Sequence, residues 1–183
     1  MKNLLLAFVM LVTTGTVTAQ TNKTDWMVGG SMRINTTESN KEFTFQPTAG
    51  YFFAKSFAAG AEFKLSFAKF GGEKTNSLGV GPFARYYFNM RDASFKPLVH
   101  SSFTVETVTT RQNNIKNRNT VTSLFIGGGG AYFINENVAL EALAGYNRSK
   151  YENFDSEGGF AFRIGFQVHL LGRNLRTIRG YGL

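Results

Sequence analysis

Histidine, serine and glutamate side chains lie close together in one stretch of the chain, at His100, Ser102 and Glu106. All three would share one face of an extended strand, because successive side chains of a strand point to opposite faces. A histidine beside a serine and a carboxylate can activate the serine as a nucleophile. We expect instead that His100 is hydrogen-bonded inside the protein, and we predict no catalytic residue. The sequence also has no spacing of His, Cys, Asp and Glu that is typical of a metal site, and we expect neither a metal nor a cofactor.

Charged residues at alternating positions form a second candidate site, an internal charge network. Its members are Arg33, Glu62, Lys64, Arg85, Glu106, Glu141 and Arg163. Buried charges are tolerated when they are paired and hydrogen-bonded, so we expect ion pairs that fill the interior of the fold. The alternative is a narrow gated pore in which the same charges set ion selectivity.

Strands must position these residues, because apolar and polar residues alternate along the chain with a period of two. In the clearest case, Phe160 to Leu170, large apolar residues alternate with small or polar ones over eleven residues. That length matches the roughly 9–11 residues that a tilted strand needs to cross a bilayer. We predict eight such strands, at Trp26–Asn35, Glu42–Phe53, Phe57–Ala68, Ser77–Phe88, Phe95–Thr109, Thr120–Phe133, Val138–Arg148 and Gly158–Leu171.

The predicted connections alternate in length. Those after the second, fourth and sixth strands are short, whereas longer polar loops are predicted at Thr36–Lys41, Lys69–Asn76, Thr110–Asn119 and Ser149–Glu157. Short periplasmic turns and longer outer loops are typical of bacterial outer-membrane barrels. An even number of strands would place both ends of the chain on the periplasmic side.

The alternation alone does not say which face is inside. The polar face carries mixed charges and seven glycines that would leave room for long side chains, at Gly60, Gly79, Gly81, Gly127, Gly129, Gly145 and Gly165. We therefore predict that the apolar face points outward into lipid, since eight strands enclose a lumen just wide enough to be filled by side chains. The alternative is a soluble, lipocalin-like binder of hydrophobic ligands, which would have an apolar interior.

Aromatic residues concentrate near the predicted periplasmic ends of the strands and predict a girdle at the membrane interface. They are Tyr51, Phe53, Phe57, Tyr86, Phe88, Phe95 and Tyr132, with Phe52, Tyr87 and Phe133 in the same group.

The chain is predicted to have three segments. Residues 1–19 resemble a secretory signal peptide, with a basic residue, an apolar stretch and a cleavage site after Ala19. Residues 20–171 form the barrel domain, and residues 172–183 form a basic periplasmic tail. The formal net charge of +8 would allow contact with outer-membrane lipid and the phosphates of lipopolysaccharide, but we expect solvated charge in the loops and the tail rather than a dedicated binding patch. Nucleic acid is not expected, because no reader motif accompanies the charge.

Two stretches resemble a known family. GGGGAYFINENVALEALAGY (Gly127–Tyr146) and GGFAFRIGFQVHL (Gly158–Leu170) resemble small OmpA/OmpX-like outer-membrane β-barrel proteins, especially those of Bacteroidetes. The resemblance implies an all-β fold, an eight-stranded antiparallel up-and-down transmembrane β-barrel inserted by the outer-membrane assembly machinery of a Gram-negative bacterium. We expect a monomer with a structural or surface-interaction role and no enzyme activity.

Overall fold

The computed structural model of the chain describes residues 25–36, 40–70, 73–90, 94–112, 115–151 and 156–170. These residues form eight strands: β1 Trp26–Thr36, β2 Asn40–Ala54, β3 Phe57–Phe70, β4 Glu73–Tyr87, β5 Phe95–Gln112, β6 Ile115–Phe133, β7 Val138–Tyr151 and β8 Glu157–Leu170. Each strand pairs antiparallel with the next, and β1 pairs with β8 to close the barrel. The predicted eight-stranded up-and-down barrel is confirmed. Within the described part of the chain, no helix is long and apolar enough to cross a membrane.

Two of the predicted long polar loops, Lys69–Asn76 and Thr110–Asn119, are wrong, because most of their residues extend the strands. The strands also extend into the other two predicted loops, of which residues 37–39 and 152–155 lie outside the described residues. β3 continues to Phe70 and β4 begins at Glu73, and β5 and β6 similarly reach Gln112 and Ile115. Strands β1 and β2 reach 36 and 40, and β7 and β8 reach 151 and 157. The paired residues there include Thr110 with Asn117. The hydrogen bonds of a strand ladder join backbone groups. Two strands can therefore stay paired where the side chains on both faces are polar.

The apolar face of every strand points away from the lumen. Phe160 and Phe162 are 87% and 72% exposed, whereas the neighbouring Arg163 is only 7% exposed. The same alternation runs through β7, where Leu140 is exposed and Glu141 is buried. This arrangement is the reverse of a soluble ligand-binding barrel, whose apolar face would line the interior.

One end of the lumen holds the apolar core. This end, at the connections after β2, β4 and β6, is called the turn end, and the opposite end is called the open end. The core residues at the turn end are Met27, Phe52, Ala58, Phe83, Tyr87, Leu98, Ala131, Phe133, Ala139 and Leu143. Nearer the open end, the buried side chains are mainly polar or charged.

The predicted aromatic group divides between the two faces. Seven members lie on the outer surface near the turn end: Tyr51, Phe53, Phe57, Tyr86, Phe88, Phe95 and Tyr132. Phe52, Tyr87 and Phe133 point into the lumen instead and are almost fully buried. Each of these three adjoins an outward aromatic in sequence, and the period of two turns it inward. Trp26, which the sequence analysis did not include, joins the outer group and packs edge-on against Tyr51 at 5.3 Å between ring centroids.

Candidate functional site in the barrel lumen

A buried ion pair joins two strands that are not neighbours. Arg85 of β4 donates from Nη1 to both carboxylate oxygens of Glu141 on β7, at 2.7 and 2.8 Å. The Tyr87 hydroxyl bridges the pair: it accepts from Arg85 Nη1 at 3.1 Å and donates to Glu141 Oε1 at 3.0 Å. All three side chains are buried, and β4 and β7 are three strands apart, so the pair and its bridge reach across the lumen.

A second buried pair joins β3 to β8. Arg163 Nη1 donates to both oxygens of Glu62, at 3.3 and 3.2 Å. The same carboxylate accepts hydrogen bonds from Ser102 Oγ at 3.1 Å and from Gln46 Nε2 at 3.2 Å. Glu62 is therefore surrounded by donors from three other strands, β2, β5 and β8, which is the arrangement that a buried carboxylate requires.

His100 connects the two pairs. Its Nδ1 accepts from Arg85 Nε at 3.2 Å, and its Nε2 lies 3.4 Å from Glu62 Oε2. The side chain is 2% exposed and stacks on Phe83, with 5.5 Å between ring centroids. Because Nδ1 accepts a hydrogen bond, the ring proton lies on Nε2, the nitrogen that faces Glu62.

The three residues that could have formed a nucleophilic site separate into two groups. His100 and Ser102 both contact Glu62. Glu106 instead accepts hydrogen bonds from Lys64 Nζ at 2.7 Å and from the hydroxyl groups of Thr104 and Ser123. The carboxylate that meets the histidine and the serine is therefore the one on β3, which sequence spacing did not indicate.

Two further ion pairs lie above the buried ones, towards the open end. The ion pair of Lys64 with Glu106 is mostly buried. In the ion pair of Arg33 with Glu42, at 3.0 Å, the arginine side chain is about one-third exposed and the glutamate side chain about one-quarter. Together the two pairs line a polar vestibule of about 280 Å³ on the open-end side of the buried pairs. Glu42 was missed in the sequence, although it shares the inward parity of Thr44, and Tyr87 was missed as a partner of Arg85.

Small residues on the polar face make room for an aromatic ring as well as for charges. Gly127 and Gly145 are paired directly across β6 and β7. A Cβ on either glycine would come within 2.8 Å of the Phe125 ring, which occupies that space. The Arg163 guanidinium lies 3.8 Å from the centroid of the same ring. Phe125 therefore supports the arginine that reaches Glu62.

The lumen is almost filled at the level of the buried pairs. The cavity lined by Glu62, Arg85, His100, Glu141 and Arg163 measures about 10 Å³. Roughly 10–15 Å³ is needed for a single water molecule. The described residues also include no group of three or more His, Cys, Asp and Glu placed to hold a metal ion.

The sequence of residues 4–171 matches the family model of the outer membrane protein β-barrel domain. The chain belongs to this family. An outer-membrane barrel of this kind crosses the bilayer with strands whose outer faces are apolar, as they are here. No curated protein matches this outer-membrane barrel in sequence.

Solved structures share the fold of this outer-membrane barrel at low sequence identity. Neisserial surface protein A is 18% identical, with a TM-score of 0.61 over 79% of this chain and 94% of that one. The N-terminal β-barrel domain of Pseudomonas aeruginosa OprF is 17% identical, with a TM-score of 0.53 over 81% and 98%. Ail of Yersinia pestis, the attachment invasion locus protein, is 14% identical, with a TM-score of 0.50 over 80% and 97%. Such likeness shows the fold alone.

Proposed function

We propose that this outer-membrane barrel is closed, and that its role is structural or interactive at the cell surface rather than transport. One observation carries this proposal: two buried ion pairs, Arg85 with Glu141 and Arg163 with Glu62, surround a cavity of only about 10 Å³. These side chains form a plug that spans the lumen.

The energetics of the plug oppose conduction. A solute crossing at this level would have to separate buried charges, and removing one partner of such a pair typically costs about 3–5 kcal/mol. Hydrogen bonds from Tyr87, Ser102 and Gln46 also hold the carboxylates in place. The polar vestibule lies on the open-end side of the plug, which suits a surface role better than a path through the membrane.

The orientation we propose places the turn end in the periplasm and the open end outside the cell. The aromatic residues on the outer surface near the turn end support it, because such residues gather at membrane interfaces. The large apolar residues exposed on the outer faces of the strands form an apolar belt around the barrel. The hairpins that extend past this apolar belt at the open end support the orientation as well, since outer-membrane barrels project further on the extracellular side. Cleavage of a signal peptide after Ala19 would precede insertion by the assembly machinery.

Planar-bilayer conductance tests the closed state. The wild-type barrel should show no discrete conductance steps, whereas Arg85→Ser/Glu141→Ser, which shortens both side chains of the plug, should show them. The matched control is Arg33→Ser/Glu42→Ser, which removes the ion pair in the vestibule and should leave the barrel silent. Discrete steps in the wild type would overturn the proposal in favour of the narrow pore.

Folding of each variant is checked before conductance is measured. The sample is run on an SDS gel with and without boiling, because a folded barrel resists SDS when cold and migrates differently after boiling. A variant without this shift is replaced by Arg163→Ser/Glu62→Ser, which shortens the other plug pair.

A further inference from the structure

Charge is segregated by face at the open end of the barrel. Among the side chains that the structure describes, the charged residues that point outward near this end are all cations: Lys69, Arg118, Arg148 and Lys150. The acidic residues at this end, Glu42, Glu106 and Glu157, occupy inward-facing positions. A surface adapted only to water usually mixes the two signs. The segregation therefore indicates that the outer face meets anions.

Two of these cations line a concavity on the outside of the barrel. Arg148 and Lys150 of β7 lie opposite Leu124 and Thr122 of β6, and these four residues border a space of about 330 Å³. Phe103 forms part of the apolar floor of the same space.

The guanidinium of Arg148 is held in position. Its Nε and Nη2 both donate to Ser156 Oγ, at 3.0 and 2.7 Å. A guanidinium has five N–H donors, so this anchoring leaves donors for a further acceptor. Arginine and lysine side by side are suited to a phosphate, since charge-assisted hydrogen bonds to phosphate are short and strong.

The height of this site matches a lipid headgroup. From Tyr132, in the aromatic group at the turn end, to Leu124 the strand rises about 20 Å along the membrane normal at the usual tilt. Arg148 pairs with Leu124, so the guanidinium lies at the upper edge of the apolar belt. Below it, Ile126, Tyr146 and Phe160 are at least half exposed and offer a surface for acyl chains.

We infer that Arg148 and Lys150 bind a phosphate group of a phosphorylated glycolipid of the outer leaflet, lipopolysaccharide in a Gram-negative cell. The acyl chains of the lipid would lie against the apolar belt below the two cations. The inference rests on the orientation given under the proposed function, with the open end outside the cell.

Lipid binding to the purified, folded barrel in detergent tests the inference. The probe is bisphosphorylated lipid A, compared with the same lipid after its phosphates are removed, and bound lipid is measured by native mass spectrometry. Arg148→Ala/Lys150→Ala should weaken binding of the phosphorylated lipid by about tenfold or more, because two charge-assisted contacts are lost. Lys55→Ala, which removes an exposed lysine at the turn end, is the matched control and should stay within about twofold of wild type.

Three results would overturn the lipid site. The first is equal affinity of the double variant and the wild type for the phosphorylated lipid. The second is equal affinity of the wild type for both lipids. The third is displacement of the lipid by millimolar inorganic phosphate, which would indicate a site for free anions. Arg148→Lys/Lys150→Arg keeps both charges and should retain most of the binding, and loss of binding there as well would overturn the charge-based site in favour of a structural effect.

The orientation is tested separately. The chain has no cysteine, so Arg118→Cys gives a single thiol at the open end. Labelling of intact cells with a membrane-impermeant maleimide should modify it, and absence of labelling would overturn the orientation and with it the lipid site. Labelling together with unchanged lipid affinity of the double variant would overturn the lipid site alone. Conductance in the wild type would overturn only the closed state.

Discussion

Arg85 and Glu141 meet across the lumen although 56 residues separate them in the chain. One nitrogen of the guanidinium reaches both oxygens of the carboxylate, at 2.7 and 2.8 Å. The two residues lie on β4 and β7, which are three strands apart in the barrel. The contact therefore ties opposite walls together, in addition to the ladders that join neighbouring strands.

Loss of one partner of this pair should destabilise the barrel strongly. Arg85→Ala should lower the free energy of unfolding by about 3–5 kcal/mol, because Glu141 would stay buried without its counter-charge. Arg85→Met/Glu141→Leu removes both charges and should cost much less than the single change. Urea unfolding of the barrel in lipid vesicles, followed by fluorescence of the single tryptophan, Trp26, measures both.

A matched control comes from the ion pair in the vestibule. Arg33→Ala breaks a pair whose side chains are 32% and 25% exposed, and the loss should stay below about 1 kcal/mol. Equal losses for Arg85→Ala and Arg33→Ala would contradict the view that burial gives the central pair its importance.

Tyr87 should contribute through its hydroxyl group. Tyr87→Phe removes the oxygen that bridges Arg85 and Glu141, and we expect a loss of about 1.5–3 kcal/mol, which is usual for hydrogen bonds to charged groups. Tyr86→Phe is the control, since its side chain lies on the outer surface and is 41% exposed. The same unfolding measurement applies, and a similar effect of the two changes would show that the bridge adds no stability.

The sequence predicts the faces of the strands well because side-chain direction is a local property. A period of two decides which residues point inward, and the charged residues Glu62, Lys64 and Arg163 do so. The ends of the strands are harder to predict, since the ladder beyond the apolar belt depends on backbone pairing, which leaves no pattern in the side chains. Thr110 and Asn117 pair in this way, in a stretch where the sequence predicted a loop.

The choice of ion-pair partners could not be predicted from the sequence. Glu62 and Lys64 share a strand and a face, yet Glu62 binds Arg163 at a separation of 101 residues and Lys64 binds Glu106. Which side chains meet depends on the register of all eight strands and on their tilt around the barrel. Aromatic residues such as Phe52 were misplaced for another reason: the alternation was not applied within a run of adjacent aromatics.

Two adjacent glycines should respond differently to the same substitution. Gly127 faces the lumen, and a Cβ there would come within 2.6 Å of the Ala144 carbonyl oxygen and 2.7 Å of Phe125 Cζ. Gly127→Ala should therefore cost about 1–3 kcal/mol, as overpacking usually does. Gly128→Ala meets only the Leu98 carbonyl oxygen at 3.5 Å, an ordinary contact, and should be neutral or stabilise the barrel by up to about 1 kcal/mol. Equal unfolding free energies of the two variants would contradict the tight packing of Phe125 against this wall.

The last prediction concerns the outer face of the barrel. Ala142 is exposed on β7 between the buried residues Glu141 and Leu143, within the apolar belt. Ala142→Arg should impair insertion and folding by about 2–4 kcal/mol, because it places a charge in the hydrocarbon region.

Thr120→Arg is the matched control, since Thr120 is also exposed on an outward face but lies on β6 beyond the belt, near Arg118. Folding of the two variants into vesicles of the same lipid, measured by the heat-induced shift on SDS gels and by urea titration, compares them directly. The two variants add the same side chain to the outward face of the sheet at different depths in the bilayer, and equal folding would place Ala142 outside the hydrocarbon.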